Sequence, residues 1–150
     1  MIIKKYKNSD SEKLFKLFYD TVHSVNSKDY TDKQINVWAS ADTNIKEWGK
    51  RFSETYTVIA LENNIIMGFG NIDSTGYLDM LYVHKDYQGK KVASFICDNL
   101  EKTFNVSEIT VHASITAKPF FEKRGYEVIK KQQVKRKGIF LENYIMKKFL

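Results

Sequence analysis

The sequence predicts an α/β fold in which helices cover a mixed β-sheet. Three observations predict it. Amphipathic helical segments come first, a run of strands follows, and two further helices are inserted between the later strands. A helix between two strands implies a crossover, whereas a tight turn implies an antiparallel pair, so both kinds of pairing are expected in one sheet.

The amino-terminal third is predicted to be helical. The segment Asp10–Val25 places apolar side chains at helical spacing. Thr31 and Gln34 form a capping-box pair that starts a second helix, which carries Trp38. A short third helix is predicted around Trp48. The apolar positions of the first helix are Leu14, Leu17, Phe18, Val22 and Val25.

The remaining chain is predicted to alternate between strands and helices. The turns are marked by Asn63-Asn64, by Ser74-Thr75-Gly76 and by Arg136-Lys137-Gly138. Gly125 suits the end of a helix. The predicted strands are Tyr56–Glu62, Ile65–Asp73, Tyr77–His84, Glu108–Ser114, Tyr126–Lys135 and Phe140–Phe149, and the predicted helices are Val92–Phe104 and Thr116–Arg124.

Length and composition indicate one globular domain spanning residues 1–150. The chain is 43% hydrophobic and 28% charged, and it contains a single proline and no low-complexity linker. No apolar run reaches the roughly 20 residues that a membrane helix needs. The amino terminus lacks the pattern of a signal peptide. With a lone cysteine, Cys97, these features predict a cytoplasmic protein.

The net charge of +6 attracts anions of several kinds: nucleic acid, an acidic surface or a phosphorylated cofactor. The lysines are spread along the whole chain, as on an ordinary solvated surface. Nucleic-acid binding would rest on charge alone and is not the favoured interpretation. The three histidines show no spacing typical of metal ligands, so no metal is expected.

The most informative segment runs from Tyr77 to Ser94. An apolar strand ends, a short loop containing Gly89 follows, and a helix begins, so unpaired N–H groups and the helix dipole could meet a phosphate there. Lys90 and Lys91 add positive charge. Local physics alone leaves two interpretations open: an anion site, or an ordinary strand–loop–helix joint with two surface lysines.

Gln88-Gly89-Lys90-Lys91-Val92-Ala93 resembles the pyrophosphate signature of the GNAT acetyltransferases, Gln/Arg-x-x-Gly-x-Gly/Ala. The segment Ala117–Tyr126 is similar to the second fingerprint of that family. The order of elements fits over essentially the whole chain. A closer likeness, to the YafP-like branch of the family, lies in Asp79–Val83, Ala113–Glu122 and Asn143–Met146.

The resemblance implies an N-acetyltransferase that moves the acetyl group of acetyl-CoA directly onto an amine of a small molecule or a peptide. It implies a GNAT fold whose sheet splays open between Tyr77–His84 and Glu108–Ser114, with coenzyme A in the gap. The cofactor-binding residues would be Leu81, Tyr82, Val83, Gln88, Gly89, Lys90, Lys91, Val92, Ala93, Ser94, Ser114 and Phe120.

Two positions depart from the family pattern. Lys91 replaces the central glycine of the signature, so its side chain must point away from the phosphate or contact it. Phe121 stands where many relatives have the tyrosine proposed to protonate the departing thiolate. Solvent, Tyr82 or another tyrosine could serve instead. The loss also leaves open an alternative function, that of a non-catalytic acyl-CoA-binding or regulatory module.

Asp79 interrupts an apolar strand, and an unpaired buried carboxylate is costly. It is either a structural partner or a catalytic residue: a general base, or an anchor for the substrate ammonium. Trp38, Trp48 and Phe69 are either walls of the acceptor pocket or core residues, and Trp38 and Phe69 are taken as candidate walls. His112 is interpreted as a packed polar residue rather than a base, and Cys97 as a buried structural residue. The amine acceptor is the expected partner, and a homodimer stays open.

Overall fold

The computed structural model describes residues 1–150. It contains seven strands and five α-helices, with short 3₁₀ turns at Asn8–Asp10, Asn26–Lys28 and Lys85–Tyr87. In chain order the elements are β1 (Ile2–Lys5), α1 (Ser11–Ser24), α2 (Asp32–Trp38), α3 (Ile45–Glu54), β2 (Tyr56–Glu62), β3 (Ile65–Ile72), β4 (Tyr77–Val83), α4 (Val92–Leu100), β5 (Glu108–Ser114), α5 (Lys118–Lys123), β6 (Glu127–Arg136) and β7 (Ile139–Phe149).

All seven strands form one sheet in the order β1-β2-β3-β4-β5-β7-β6. Every neighbouring pair is antiparallel except β4 and β5, which are parallel. The helix α4 connects these two strands, as a parallel crossover requires. The predicted mixed sheet is therefore confirmed.

The parallel pair is short. Strands β4 and β5 are paired only at Tyr77 with Thr110 and at Leu78 with Val111. Both strands continue well past these residues, to Val83 and Ser114, without pairing with each other. The sheet is thus splayed in the middle, as the resemblance implied, and backbone groups on both inner edges face a gap.

Two hydrophobic cores cover the two faces of the sheet. One core packs α4 and α5 against the sheet through residues such as Ile96, Leu100 and Phe121. The other packs α1, α2 and α3 against the opposite face around Phe18, Trp48 and Phe69. The first three helices therefore lie on one side of the gap, and α4 and α5 lie on the other.

The sequence did not predict β1, and it placed the end of α4 too late. Strand β1 has four residues and exists through pairing with β2, from Ile2 opposite Leu61 to Lys5 opposite Val58. A partner so distant in sequence leaves no local signal. Helix α4 ends at Leu100 rather than at Phe104, because the following residues form turns.

Candidate active site

The gap between β4 and β5 widens into a cavity of about 460 Å³. It lies between the end of α1 and α2 on one side and the loop before α4 and α5 on the other. Its walls combine apolar side chains with a few polar ones. The predicted residues that line it are Trp38, Asp79, Leu81, Tyr82, Val83, Gln88, Gly89, Lys91, Val92, Ala93, Ser94, Ser114 and Phe120.

The loop before α4 has an unusual backbone. Gly89 has φ of 73° and Lys91 has φ of 63°, both in the left-handed region. A Cβ atom placed on Gly89 would meet no atom within 4 Å, so its Cα faces open space. Lys91 is the N-cap of α4 and its side chain caps no N–H group. The first N–H groups of α4 therefore have no side-chain acceptor. Lys91 adopts a left-handed conformation that glycine adopts without strain, which explains why the related signature has a glycine at this position.

Two residues predicted to contact the cofactor, Lys90 and Gln88, have positions that differ from the prediction. Lys90 is exposed and does not line the cavity, so only its charge acts there. The side chain of Gln88 turns back, and its Nε2 donates to the carbonyl oxygen of Val83 at 2.8 Å. Thr21 Oγ1 donates to the same oxygen at 2.9 Å. The Val83 carbonyl is thus already paired, and Thr21, which carries no sequence signal of this role, ties α1 to the end of β4.

Asp79 lies at an irregularity in β4. The pairing with β3 shifts between Ile72–Leu78 and Asn71–Met80, so Asp79 is the extra residue of a β-bulge. The fully buried side chain of Asn71 replaces the missing backbone partner: its Oδ1 accepts from the Met80 N–H at 2.9 Å, and its Nδ2 donates to Asp79 Oδ2 at 3.1 Å. The bulge aims the Asp79 carboxylate at the cavity.

One arginine lies beside this carboxylate, and its charge and that of Arg136 also act on Tyr77. Arg51 Nη1, from α3, lies 3.8 Å from Asp79 Oδ2. Burial raises the pKa of Tyr77 and the Asp79 charge adds to the rise, while Arg51 and Arg136 oppose it. The carboxyl-terminal end of β6, where Arg136 lies, therefore contributes to the electrostatics of the site.

The aromatic residues expected around an acceptor take two different positions. Trp38 lines the cavity, and its Nε1 donates to Tyr82 Oη at 3.2 Å. Phe69 is not a wall of the cavity, contrary to its assignment as a candidate: it is fully buried between Phe52 and Tyr82 and does not reach the cavity. It lies on a face of β3 that α3 covers, which a single-strand pattern cannot reveal. Burial raises the pKa of Tyr82 far above its ordinary value, so its hydroxyl stays protonated.

On the α5 side, Phe121 is buried against Tyr126, and neither Phe121 nor Phe120 can donate a proton. Ser114 Oγ accepts from the Ala117 N–H at 3.0 Å, which leaves its own hydroxyl proton free to donate. Tyr87 also lines the cavity. The hydroxyl groups at the cavity are thus Tyr82, Tyr87 and Ser114, together with the threonines at its rim.

His112 differs from its interpretation as a packed residue. It lies in the middle of β5, yet it is exposed and lines the cavity, with its ring centroid 5.2 Å from that of Tyr77. The splay of β4 away from β5 uncovers it. Alternation along β5 predicts a face for this side chain, but only the gap decides that the face is open.

The remaining candidates have no place in the site. Cys97 is buried in α4, as expected, and burial raises its thiol pKa to about 12. No cluster of three or more His, Cys, Asp or Glu side chains is arranged to hold a metal ion. None of the helices is long and apolar enough to cross a membrane.

Comparisons with known proteins agree with this geometry. Residues 26–148 match the family model described as an acetyltransferase (GNAT) domain. The chain is 35% identical to the protein named uncharacterized N-acetyltransferase YafP of Escherichia coli (strain K12), over 97% of this chain and 93% of that protein.

Solved structures give the same result. A GCN5-related N-acetyltransferase from Rhodopseudomonas palustris, also described as "Aminotransferase, Class-II", matches with a TM-score of 0.96 and 32% identity, covering 99% of this chain and 95% of its own. The PaiA N-acetyltransferase of Thermoplasma acidophilum, solved in complex with coenzyme A, shares the fold at a TM-score of 0.77 and 16% identity, over 99% and 98% of the two chains.

The chain belongs to the GNAT family of acetyltransferases. The predictions of its fold, of its family with the likeness to YafP, and of acetyl-CoA-dependent N-acetyl transfer as its activity are confirmed.

Proposed function

We propose that this enzyme acetylates an amine that enters from the α1–α3 side of the gap, while the acetyl-CoA donor lies between β4 and β5. The observation that carries the proposal is the splay itself. It opens a cavity of about 460 Å³ with a carboxylate on β4 at one side and uncapped amides of α4 at the other.

The loop Gln88–Ala93 fits the pyrophosphate of the donor. Gly89 leaves open space toward the ligand, and the start of α4 offers N–H groups and the positive end of its dipole. Lys90 and Lys91 add positive charge at the rim. The pantetheine arm would run along the edge of Leu81–Val83 that does not pair with β5, where Thr21 and Gln88 already occupy the Val83 carbonyl, with Ser114 and Phe120 on the opposite wall.

The acceptor amine must lose a proton before it attacks the thioester carbonyl. Asp79 is the carboxylate that lines the cavity, so it either takes this proton or holds the ammonium in place. The amine nitrogen forms a bond to the carbonyl carbon, the carbon–sulfur bond breaks, and coenzyme A leaves as a thiolate. Because a thiol pKa is about 8.5, solvent can reprotonate this thiolate without a dedicated tyrosine.

The test is thiol release from acetyl-CoA in the presence of a panel of amines, with mass spectrometry of the products. Release that depends on the amine and yields an acetylated product supports the proposal. Stabilisation by acetyl-CoA without turnover of any amine would instead favour a binding or regulatory module. A cytoplasmic location and a homodimer remain predictions, and sedimentation of the purified chain tests the second.

A further inference from the structure

Asp79 and Arg51 place opposite charges side by side, and neither side chain uses all of its hydrogen-bonding atoms. Arg51 Nε donates to the Trp48 carbonyl oxygen at 3.1 Å, and its terminal nitrogens make no hydrogen bond. Asp79 Oδ2 accepts from Asn71, whereas Oδ1 has no partner. The two side chains are 40% and 25% exposed. One carboxylate oxygen, on a residue that lines the cavity, and the end of one guanidinium, which lies next to Asp79 but outside the cavity lining, are therefore available to a ligand.

The distance between the two groups shows a loose contact. Arg51 Nη1 and Asp79 Oδ2 are 3.8 Å apart, well beyond the roughly 2.7–2.9 Å of a charge-assisted hydrogen bond. Arg124, by contrast, is an arginine whose guanidinium forms close hydrogen bonds with carboxylates. It donates to Glu101 at 2.8 and 3.0 Å and to Asp98 at 2.6 Å. Arg51 is held at its Nε alone and keeps its binding end free.

We propose that the acceptor is a zwitterion that carries its amine next to a carboxylate, as the head group of a free amino acid does. This inference rests on the proposed function and names its substrate class. The ammonium lies against Asp79 Oδ1, and the substrate carboxylate accepts from the terminal nitrogens of Arg51. In an α-amino acid the two charged groups are separated by one carbon, which suits protein charges that are nearly in contact.

The surrounding charges favour the same ligand. Arg136 has no carboxylate partner, and together with Arg51 it acts on the two tyrosines of β4, Tyr77 and Tyr82. Asp79 is the carboxylate that acts on both tyrosines. A simple amine would add positive charge to an environment with two guanidinium groups. A zwitterion adds none, and its carboxylate pairs with the arginine left free.

An arginine suits this role better than a lysine would. The planar guanidinium offers two parallel N–H donors to the two oxygens of a carboxylate, so it fixes the orientation of the ligand as well as its charge. Orientation is what direct acetyl transfer requires, since the amine must point at the thioester.

The experiment compares matched acceptors in the unmodified enzyme. Thiol release is measured with the common L-amino acids, with their carboxamides and with the corresponding decarboxylated amines. We expect kcat/KM for at least one free amino acid to exceed that of its amide and its decarboxylated amine by about tenfold. The amide has the less basic amine, so a preference for the acid cannot arise from easier loss of the proton.

Variants then locate the preference. Arg51→Gln should raise KM for the amino acid about tenfold and change that of the decarboxylated amine by less than about twofold. Arg51→Lys should recover part of the loss. Lys46→Gln removes the same charge from an exposed position of α3 and should change neither value.

The outcomes separate this inference from the function on which it rests. Amines turned over equally with and without the carboxylate would overturn the zwitterion and leave amine acetylation standing. An equal loss for all acceptors in Arg51→Gln would make the contact with Asp79 purely structural. If no amine of any class is acetylated although acetyl-CoA binds, the proposed function itself fails.

Discussion

The side-chain amide of Asn71 donates to the carboxylate of Asp79 across 3.1 Å, and its own oxygen accepts from the Met80 N–H at 2.9 Å. One buried residue of β3 thus holds both the β-bulge and the carboxylate that the bulge carries. Its Nδ2 also donates to Thr55 Oγ1 at 3.0 Å, so the same nitrogen serves both Thr55 and Asp79. The geometry at Asp79 therefore depends on a residue outside the cavity.

Asn71→Ala should lower both stability and activity. The change leaves the half-buried Met80 N–H and Thr55 hydroxyl without this partner, at a cost of about 1–3 kcal/mol, and it frees the Asp79 carboxylate to rotate. For a chain of this length the melting temperature should fall by about 2–4 °C per kcal/mol. Calorimetry and kcat/KM measure the two effects.

Asn99→Ala is the matched control for Asn71. The side chain of Asn99 on α4 accepts one hydrogen bond, from Tyr56 Oη at 3.2 Å, and lies away from the cavity. Its loss should reduce stability slightly and leave kcat/KM nearly unchanged. Equal kcat/KM in the wild type and in a folded Asn71→Ala variant would show that the bulge does not position Asp79 for catalysis.

Asp79→Asn should lower kcat/KM by at least tenfold without changing the affinity for acetyl-CoA. A positioned base contributes about 10²–10⁴-fold, and asparagine keeps the shape and an acceptor for Asn71 while losing the base. An acceptor amine with a pKa near 10.4 is mostly protonated at neutral pH, so the loss should shrink as pH rises. A variant that turns over at the parental rate would return Asp79 to a structural role.

Acetyl-CoA should raise the melting temperature, and pantetheine fragments that lack the phosphates should do so far less. A ligand that binds only the folded state adds about 2.7 kcal/mol at 100 times its dissociation constant. The comparison is made by thermal scanning at matched concentrations. An unchanged melting temperature at millimolar acetyl-CoA would contradict the cofactor site.

Gly89→Val should weaken acetyl-CoA binding much more than Lys90→Ala does. Gly89 has φ of 73°, which a branched side chain adopts only with strain, and its side chain would enter the space left for the phosphates. Lys90 is exposed and provides only a charge at the rim. Titration calorimetry separates the two variants, and an unchanged affinity in Gly89→Val would show that this loop does not bind phosphate.

Glu101→Gln should destabilise the fold at neutral pH and less so in acid. Burial by itself would raise the pKa of Glu101, but hydrogen bonds from Arg124, Tyr126 and Lys148 outweigh burial and hold the pKa below its ordinary value. The stabilisation is therefore complete above the ordinary carboxyl pKa, about 4.3, and is lost as pH falls through the lower folded-state value.

The measurement for Glu101 is urea unfolding of the wild type and the variant from pH 7 down to pH 3. The difference in free energy of unfolding between the wild type and the variant should become smaller at the acid end of this range. Glu122→Gln serves as the control, since that carboxylate is exposed and pairs only with Lys118 at 3.3 Å. A difference in free energy of unfolding that stays constant with pH would show that the charge of Glu101 is not what stabilises the fold.

The sequence predicted the elements whose signals are local. The capping box of Thr31 and Gln34 is present at the start of α2, and the turn at Asn63-Asn64 joins β2 to β3. The loop Gln88–Ala93 combines a glycine, two lysines and a helix start, and these neighbouring residues by themselves indicate a candidate phosphate site. Hydrophobic period and turn chemistry act over a few residues, and a sequence carries both in full.

Tertiary structure alone decided which of the predicted residues share the cavity. Asp79 reaches it through a bulge that Asn71 holds from the neighbouring strand, and His112 is exposed because β4 leaves β5 after two residue pairs. Phe69 is excluded because α3 covers its face of the sheet. The contact of Arg51 with Asp79 joins α3 to β4, and no local pattern specifies it. Such contacts depend on strand register and helix packing, which are set by the burial of the whole core and not by neighbours in the chain.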